Sequence, residues 1–251
     1  EDHDAAIEHA QRALHFRRKI HVAGRVDNIN TVFIRWFVGK RGLIAVLLNR
    51  ADLPRDAKIL NIGVGTGDDL VVIKKYGSVY GLDINQQALD LVPDGLLAEK
   101  VQGDVCAIPY PDNGFDCVVA FDVLEHIKDD VLAVREIQRV LKPGGAFVGT
   151  VPAFPFLFGR HDVILHHVRR YRYKQFHTLL HNKFEAIYVG YWMCFLFGFI
   201  AFQRLVLEKL RPSAPLHAQL PSRLNALVMK LFGFINVLAF ENWLISKNIK
   251  L

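Results

Sequence analysis

The sequence predicts an α/β fold: a doubly wound parallel sheet preceded by N-terminal helices and followed by an apolar helical extension. Three observations carry this expectation. Between Asp52 and Val151, short apolar runs alternate with stretches of helical spacing, the pattern of strands joined by helical crossovers. The first run enters a turn with glycines at 63, 65 and 67, as at the head of an open α/β sheet. At 251 residues, 51% hydrophobic and 22% charged, the chain can bury one such domain with an appendage and is too apolar to be disordered.

Taken in order, Asp4 to about Ile20 has helical character, without the apolar core of a signal peptide. Thr31 to Leu48 is largely apolar, and Gly39 and Gly42 divide it into two short helices. LPRD, Leu53 to Asp56, is a turn before the first strand, KILNIG. A helix over Asp68 to Tyr76, the strand SVYGLD and the helix NQQALDLV, capped by Asn85, come next. Ala98 to Gln102, FDCVVA and AFVGTV supply three more strands. Between the last two runs a helix from about Asp129 to Leu141, ended by Pro143-Gly144-Gly145.

Past Val151 the pattern changes. Pro152 and Pro155 bracket an aromatic loop, and FEAIYVGYW suits a sixth strand. Two apolar stretches follow, Ala186 to Phe202 and Leu224 to Ile245, joined by RPSAPLHAQLPS. With the strand set aside, the first is too short to span a bilayer. The expectation is a helical pair lying in the membrane interface, flanked by Lys209, Arg211, Arg223 and Lys230, with burial in a homodimer as the competing reading. No seventh strand is legible in the closing ENWLISKNIKL. The expected divisions are residues 1–51, 52–190 and 191–251.

The sharpest motif is ILNIGVGTGDD, Ile59 to Asp69. Gly63, Gly65 and Gly67 let the backbone turn tightly and approach a ligand closely. The second strand ends in Asp83, 20 residues after Gly63, where a carboxylate can accept ribose hydroxyls. The third is followed by Gly103-Asp104-Val105, where a carboxylate beside an N–H can read an adenine edge. A dinucleotide fingerprint would need G-x-G-x-x-G, and this turn runs G-x-G-x-G.

These residues resemble the class I methyltransferases that use S-adenosylmethionine (SAM), in the branch with a compact Rossmann-like domain ending in Leu-Lys-Pro-Gly-Gly. The matches are ILNIGVGTG, GLDIN, GDVCAIPYPDNGFDCVVAFDVLEHI and VLKPGGAF, in the expected order. The resemblance implies that Gly63, Gly65 and Gly67 face the cofactor, that Asp83 and Ile84 hold its ribose end, that Asp104 and Val105 meet the adenine, and that Phe121 lines the pocket. Asn61 stands where the family usually has Asp or Glu, an amide in place of a charge.

For the acceptor, candidates are His126 in VLEHI and the segment GRHDVILHHVRRYRYKQF, with His161, Asp162, His167, Arg170 and Tyr171. A His–Asp pair could deprotonate a hydroxyl while Arg fixes a phosphate or carboxylate. The histidine spacings match no strong ligand motif, and no metal is expected. The HD…HxRRY pattern is similar to bacterial and archaeal methyltransferases of glycan and lipid-linked sugar biosynthesis, which implies a glycan, lipid-linked or small-molecule acceptor.

Charge sharpens this. Arg12 to Arg41 carries eight Lys or Arg against Asp27 alone, and Arg160 to Lys174 five against Asp162 alone. Such flanks fit an anionic partner. RNA is therefore the second acceptor class, and a degenerate binding module, resting on Asn61, the third. Cys106, Cys117 and Cys194 have no metal or disulfide spacing, which fits reduced thiols in a cytoplasmic protein, and the apolar stretches add the inner face of a membrane as a place for it.

Overall fold

The computed structural model describes residues 28–181, 183–192, 201 and 241–248. Helix α1 (Asn28–Arg50) leads into β1 (Ala57–Ile62), α2 (Leu70–Ile73), β2 (Gly77–Asp83), α3 (Gln86–Asp90) and β3 (Glu99–Gln102). Then come β4 (Phe115–Phe121), α4 (Asp130–Val140), β5 (Leu141–Pro152), α5 (Arg160–Ile164), α6 (Tyr173–His181), β6 (Phe184–Trp192) and β7 (Glu241–Asn248). The seven strands form one sheet in the order β3-β2-β1-β4-β5-β7-β6. The four pairings from β3 through β5 are parallel, and β7 runs antiparallel to both β5 and β6.

Period-2 alternation builds two apolar layers. Ile59, Cys117, Val119 and Val148 face one side, where Ile44, Leu47 and Leu48 of α1 cover them. Leu60, Val118 and Phe147 face the other, beneath Ala133, Val134, Ile137 and Val140 of α4. Both helices place these residues at i, i+3 and i+4 spacing, so each buries one stripe.

Four expectations need correction. Gly39 and Gly42 do not split the N-terminal stretch, because α1 runs unbroken for 23 residues. A mid-helix glycine costs only about 1 kcal/mol against alanine, and burial of Leu43, Ile44, Leu47 and Leu48 offsets that. The helix expected over Asp68 to Tyr76 is reduced to the four residues of α2, with turns on either side. Leu-Lys-Pro-Gly-Gly is not a turn outside the sheet. Leu141 pairs with Phe115 and Ala146 with Cys117, so the motif bulges within β5, with Gly144 at φ 73°.

The seventh strand exists. ENWLISKN forms β7, so the end of the expected apolar helical extension is an interior strand inserted between β5 and β6. The rest of the two apolar stretches, Cys194 and the Asp4–Ile20 helix lie outside the described residues. Among the described residues, no helix is long and apolar enough to cross a membrane. Asn85 caps α3 as expected, accepting from Ala88 N.

Candidate functional site

Strand order reverses between β1 and β4, and in open α/β sheets ligands bind beyond the carboxyl ends of the strands at such a switch point. The residues expected to meet a cofactor fall on that edge. Gly63, Gly65 and Gly67 all have positive φ, at 70°, 54° and 78°. Gly63 N donates to Leu82 O at 2.8 Å, so the turn leaves β1 still tied to β2.

Asp83, at the end of β2, is oriented by the backbone of two neighbouring turns. Its Oδ2 accepts from Gly65 N at 2.8 Å and its Oδ1 from Asn85 N at 2.9 Å. Ile84 beside it is 58% exposed. Asp104 is exposed and accepts from Cys106 N, while Val105 and Phe121 are buried. Asn61 is buried on β1, opposite Gly81 on one side and Val119 on the other. A Cβ placed on Gly65 would meet nothing within 4 Å, so the glycine turn borders open space.

Sequence reasoning missed a second feature of this edge. Asp122, directly after β4, sits in the left-handed region at φ 57°. Its Oδ1 accepts from Thr150 Oγ1 at 2.9 Å, and its Oδ2 lies 2.8 Å from Lys40 Nζ. Lys40 also lies 3.4 Å from Asp69, so α1 is pinned across the mouth of the glycine turn. Burial pushes the Asp122 carboxyl up, but the Lys40 ammonium and the Thr150 hydroxyl bring it below its ordinary value. The FDV of the β4 motif pointed at Asp122. Nothing local marked Lys40, whose role depends on a helix docking from 80 residues away in sequence, roughly the span of the whole cofactor half.

On the acceptor side the structure brings Glu125, His126, Asp162, His167 and Arg170 together. Asp162 is fully buried and accepts from Gly159 N at 2.9 Å, His167 Nδ1 at 3.0 Å and Arg170 Nε at 2.7 Å. Burial raises its carboxyl, yet these three donors outweigh that and hold it well below the usual range. The His–Asp pair is thus Asp162–His167. Arg170 does not reach out to an anion as expected. It is 9% exposed and committed to Asp162 and to Ala153 O, so it braces the loop.

Tyr171 is likewise a brace, for its hydroxyl donates towards Leu124 O at 3.1 Å and Asp130 Oδ2 at 2.8 Å. Burial and Asp130 together push its ionisation far above the ordinary tyrosine value. His126 is exposed and stands edge-on to His167, ring centres 4.8 Å apart. His161 is half-buried on α5. Glu125, which VLEHI offered beside His126, is fully buried one residue before it.

Comparison with known proteins agrees with this geometry. Residues 60–149 match the family model of a methyltransferase domain. The ubiquinone/menaquinone biosynthesis C-methyltransferase UbiE of Hahella chejuensis is 33% identical over 133 residues, 46% of this chain and 52% of that one. The chain spans about half or less of the length of the curated relatives it matches. YcgJ of Bacillus subtilis superposes with a TM-score of 0.56 over 84% of this chain and 98% of that one, at 18% identity. A SAM-dependent methyltransferase of Methanosarcina mazei does so at 0.51 over 78% and 93%, at 19% identity.

Proposed function

Because the chain carries a class I SAM-dependent methyltransferase domain, we propose that it moves a methyl group from SAM to an apolar, oxygen-bearing acceptor, leaving S-adenosylhomocysteine. The observation that carries this reading is Asp83. Its carboxylate is fixed from both sides by Gly65 N and Asn85 N at the open edge of the sheet. A carboxylate has about four acceptor positions, so two backbone donors orient it without exhausting it, and ribose hydroxyls can be received there.

The residues present fit such a ligand on two further counts. Open space beside Gly65 admits a close approach to backbone. Ile84, exposed next to Asp83, offers an apolar surface for a base, with Asp104 and Val105 beyond β3 to meet its edge. Asn61, Gly63, Gly67 and Phe121 are assigned to the same site as neighbours of Gly65 and Asp83 at the ends of β1 and β4. At position 61 an amide takes the role of hydrogen-bond acceptor for an amino group without adding charge.

SAM supplies a methyl group already activated on its sulfonium. The chain's task is then alignment, worth up to roughly 7–11 kcal/mol in well-oriented intramolecular reactions. His126, His161 and His167 stand on the acceptor side, where an imidazole can take a hydroxyl proton. The acceptor's apolar character is supported by the segment after β5, where Phe156, Phe158, Val163, Ile164 and Val168 are all exposed. A lipid-linked acceptor at a membrane surface meets both that patch and the basic residues among them.

Two measurements test the reading. Calorimetry should find SAM binding weakened at least tenfold, about 1.4 kcal/mol, by Asp83→Asn, and more by Asp83→Ala; undiminished affinity in both would sink the cofactor site. Methyl-labelled SAM incubated with the protein and a fractionated lysate should label the lipid fraction. Label in RNA instead would overturn the apolar acceptor, and bound SAM with no label in any fraction would leave a binding module.

A further inference from the structure

We propose that Glu125, His126 and His167 form a binding site for a divalent first-row transition ion, with zinc as its representative, beside the methyl-transfer edge. This goes beyond the transfer reading and does not depend on it. The three side chains each offer one ligand atom, and these atoms all lie within 4.8 Å of one another. Two imidazoles and one carboxylate are a donor set suited to zinc and its first-row neighbours rather than to magnesium or calcium, which take oxygen ligands. Three protein ligands leave a coordination position open, as at catalytic zinc sites.

The Asp162 carboxyl stands 3.0 Å from His167 Nδ1, so that nitrogen faces Asp162 and Nε2 is the ring atom on the Glu125 side, 3.9 Å from Oε1. A tetrahedral ion with ligands at ~2.0–2.1 Å has ligand–ligand edges of about 3.3–3.4 Å, so small side-chain rotations close the cluster.

The surroundings are those of a metal ligand shell. A carboxylate on the far nitrogen of a ligating histidine fixes its ring and raises its basicity, and Asp162 does this while locked by Arg170 and Gly159 N. The backbone holds the two halves in register: Val168 N donates to Glu125 O at 2.8 Å, and His166 reverses the chain at φ 58°. His126, on the exposed side, leaves the open position facing solvent. Val123, two residues before Glu125, lies against Gly63, so the segment that carries Glu125 and His126 abuts the glycine turn.

The test uses the full chain and zinc alone. After dialysis against zinc and then buffer, elemental analysis should find one zinc per chain, and cobalt(II) in its place should give visible d–d absorption. His126→Ala, an exposed change that leaves the core intact, should weaken zinc binding at least tenfold and abolish the cobalt bands. His167→Ala and Glu125→Gln should do the same, and Asp162→Asn should weaken zinc 10–100-fold as a positioning change. Zinc that persists in the first three variants but is lost on His177→Ala would place it at the His177–His181 pair on α6 and overturn the proposal. So would the absence of zinc from the parent chain after the same dialysis. SAM calorimetry on the same variants separates the two readings, since zinc can be lost with SAM affinity intact.

Discussion

At position 63 the backbone has φ +70°, and a Cβ there would stand 2.5 Å from Val123 Cγ2. At position 65 φ is +54° and a Cβ would meet nothing within 4 Å. The two glycines thus separate folding from binding. Gly63→Ala combines left-handed strain with a steric overlap and should cost about 2–5 kcal/mol of stability, the sum of typical strain and overpacking terms. Gly65→Ala should cost only the strain, about 1–2 kcal/mol, yet weaken SAM by filling the space it would occupy. Val123→Ala should recover part of the loss at 63 and none at 65, a coupling that urea unfolding of the double variants measures. Equal stability losses at the two positions would refute the distinction. The glycine spacing and Asp83 were legible in sequence because they belong to one strand–turn–strand unit. Lys40 and Asp122 were not, because their roles arise from a contact between units, Lys40 reaching Asp122 from α1; Glu125 was offered by VLEHI, but its approach to His167 depends on the fold.

Among the elements, β1 to β4 could be read because their apolar runs are short and bounded, whereas β7 could not. Its buried positions include Ser246 and Asn248 beside Ile245, so burial does not follow hydrophobicity. Asn248 explains why a polar residue is kept there. Its Nδ2 donates towards the carbonyls of Gln138, Leu141 and Lys142 at 3.1–3.2 Å, the orphan acceptors at the end of α4 and the start of the β5 bulge. The last strand of the described chain therefore caps a helix from the middle of it. Asn248→Ala leaves those carbonyls buried without that donor and should cost about 1–3 kcal/mol. Asn248→Asp should cost more, since it faces carbonyl oxygens with a carboxylate. Thermal unfolding of the two variants checks the order; an aspartate as stable as the parent would sink the capping role. Gly39 and Gly42 teach the converse, that breakers inside α1 are overruled when a full apolar stripe is buried beneath them.

For the whole molecule, three charged clusters fasten elements that lie apart in the sequence. Lys40–Asp122 ties α1 to the end of β4. Asp116 binds Lys142 at 2.6 Å and Lys58 N at 2.9 Å, which ties β1, β4 and β5 at the opposite edge. Glu136 and Arg139 clamp α4 onto the loop from Ile108 to Asp112. All three carboxyls titrate below their ordinary values. For Asp122 and Asp116, burial pushes upward and the lysines outweigh it; for Glu136, the Arg139 guanidinium leads. Since the folded values are the lower ones, the unfolded chain binds protons first as pH falls. The stabilisation is complete above the ordinary carboxylate range, about pH 4–4.5, and is lost as pH drops through the folded values. These groups should therefore leave the urea midpoint level between about pH 7 and 5.5 and lower it steeply below about 4.5. Because they sit on different layers of one cooperative unit, their losses should add, giving an unfolding free energy that falls by more than ~1.4 kcal/mol per pH unit, the slope of a single proton. Glu136→Gln should reduce that slope by removing one titrating member while keeping its shape. A midpoint that stays level to pH 3, or a slope unchanged by Glu136→Gln, would show that the pairs do not act as fasteners of the fold.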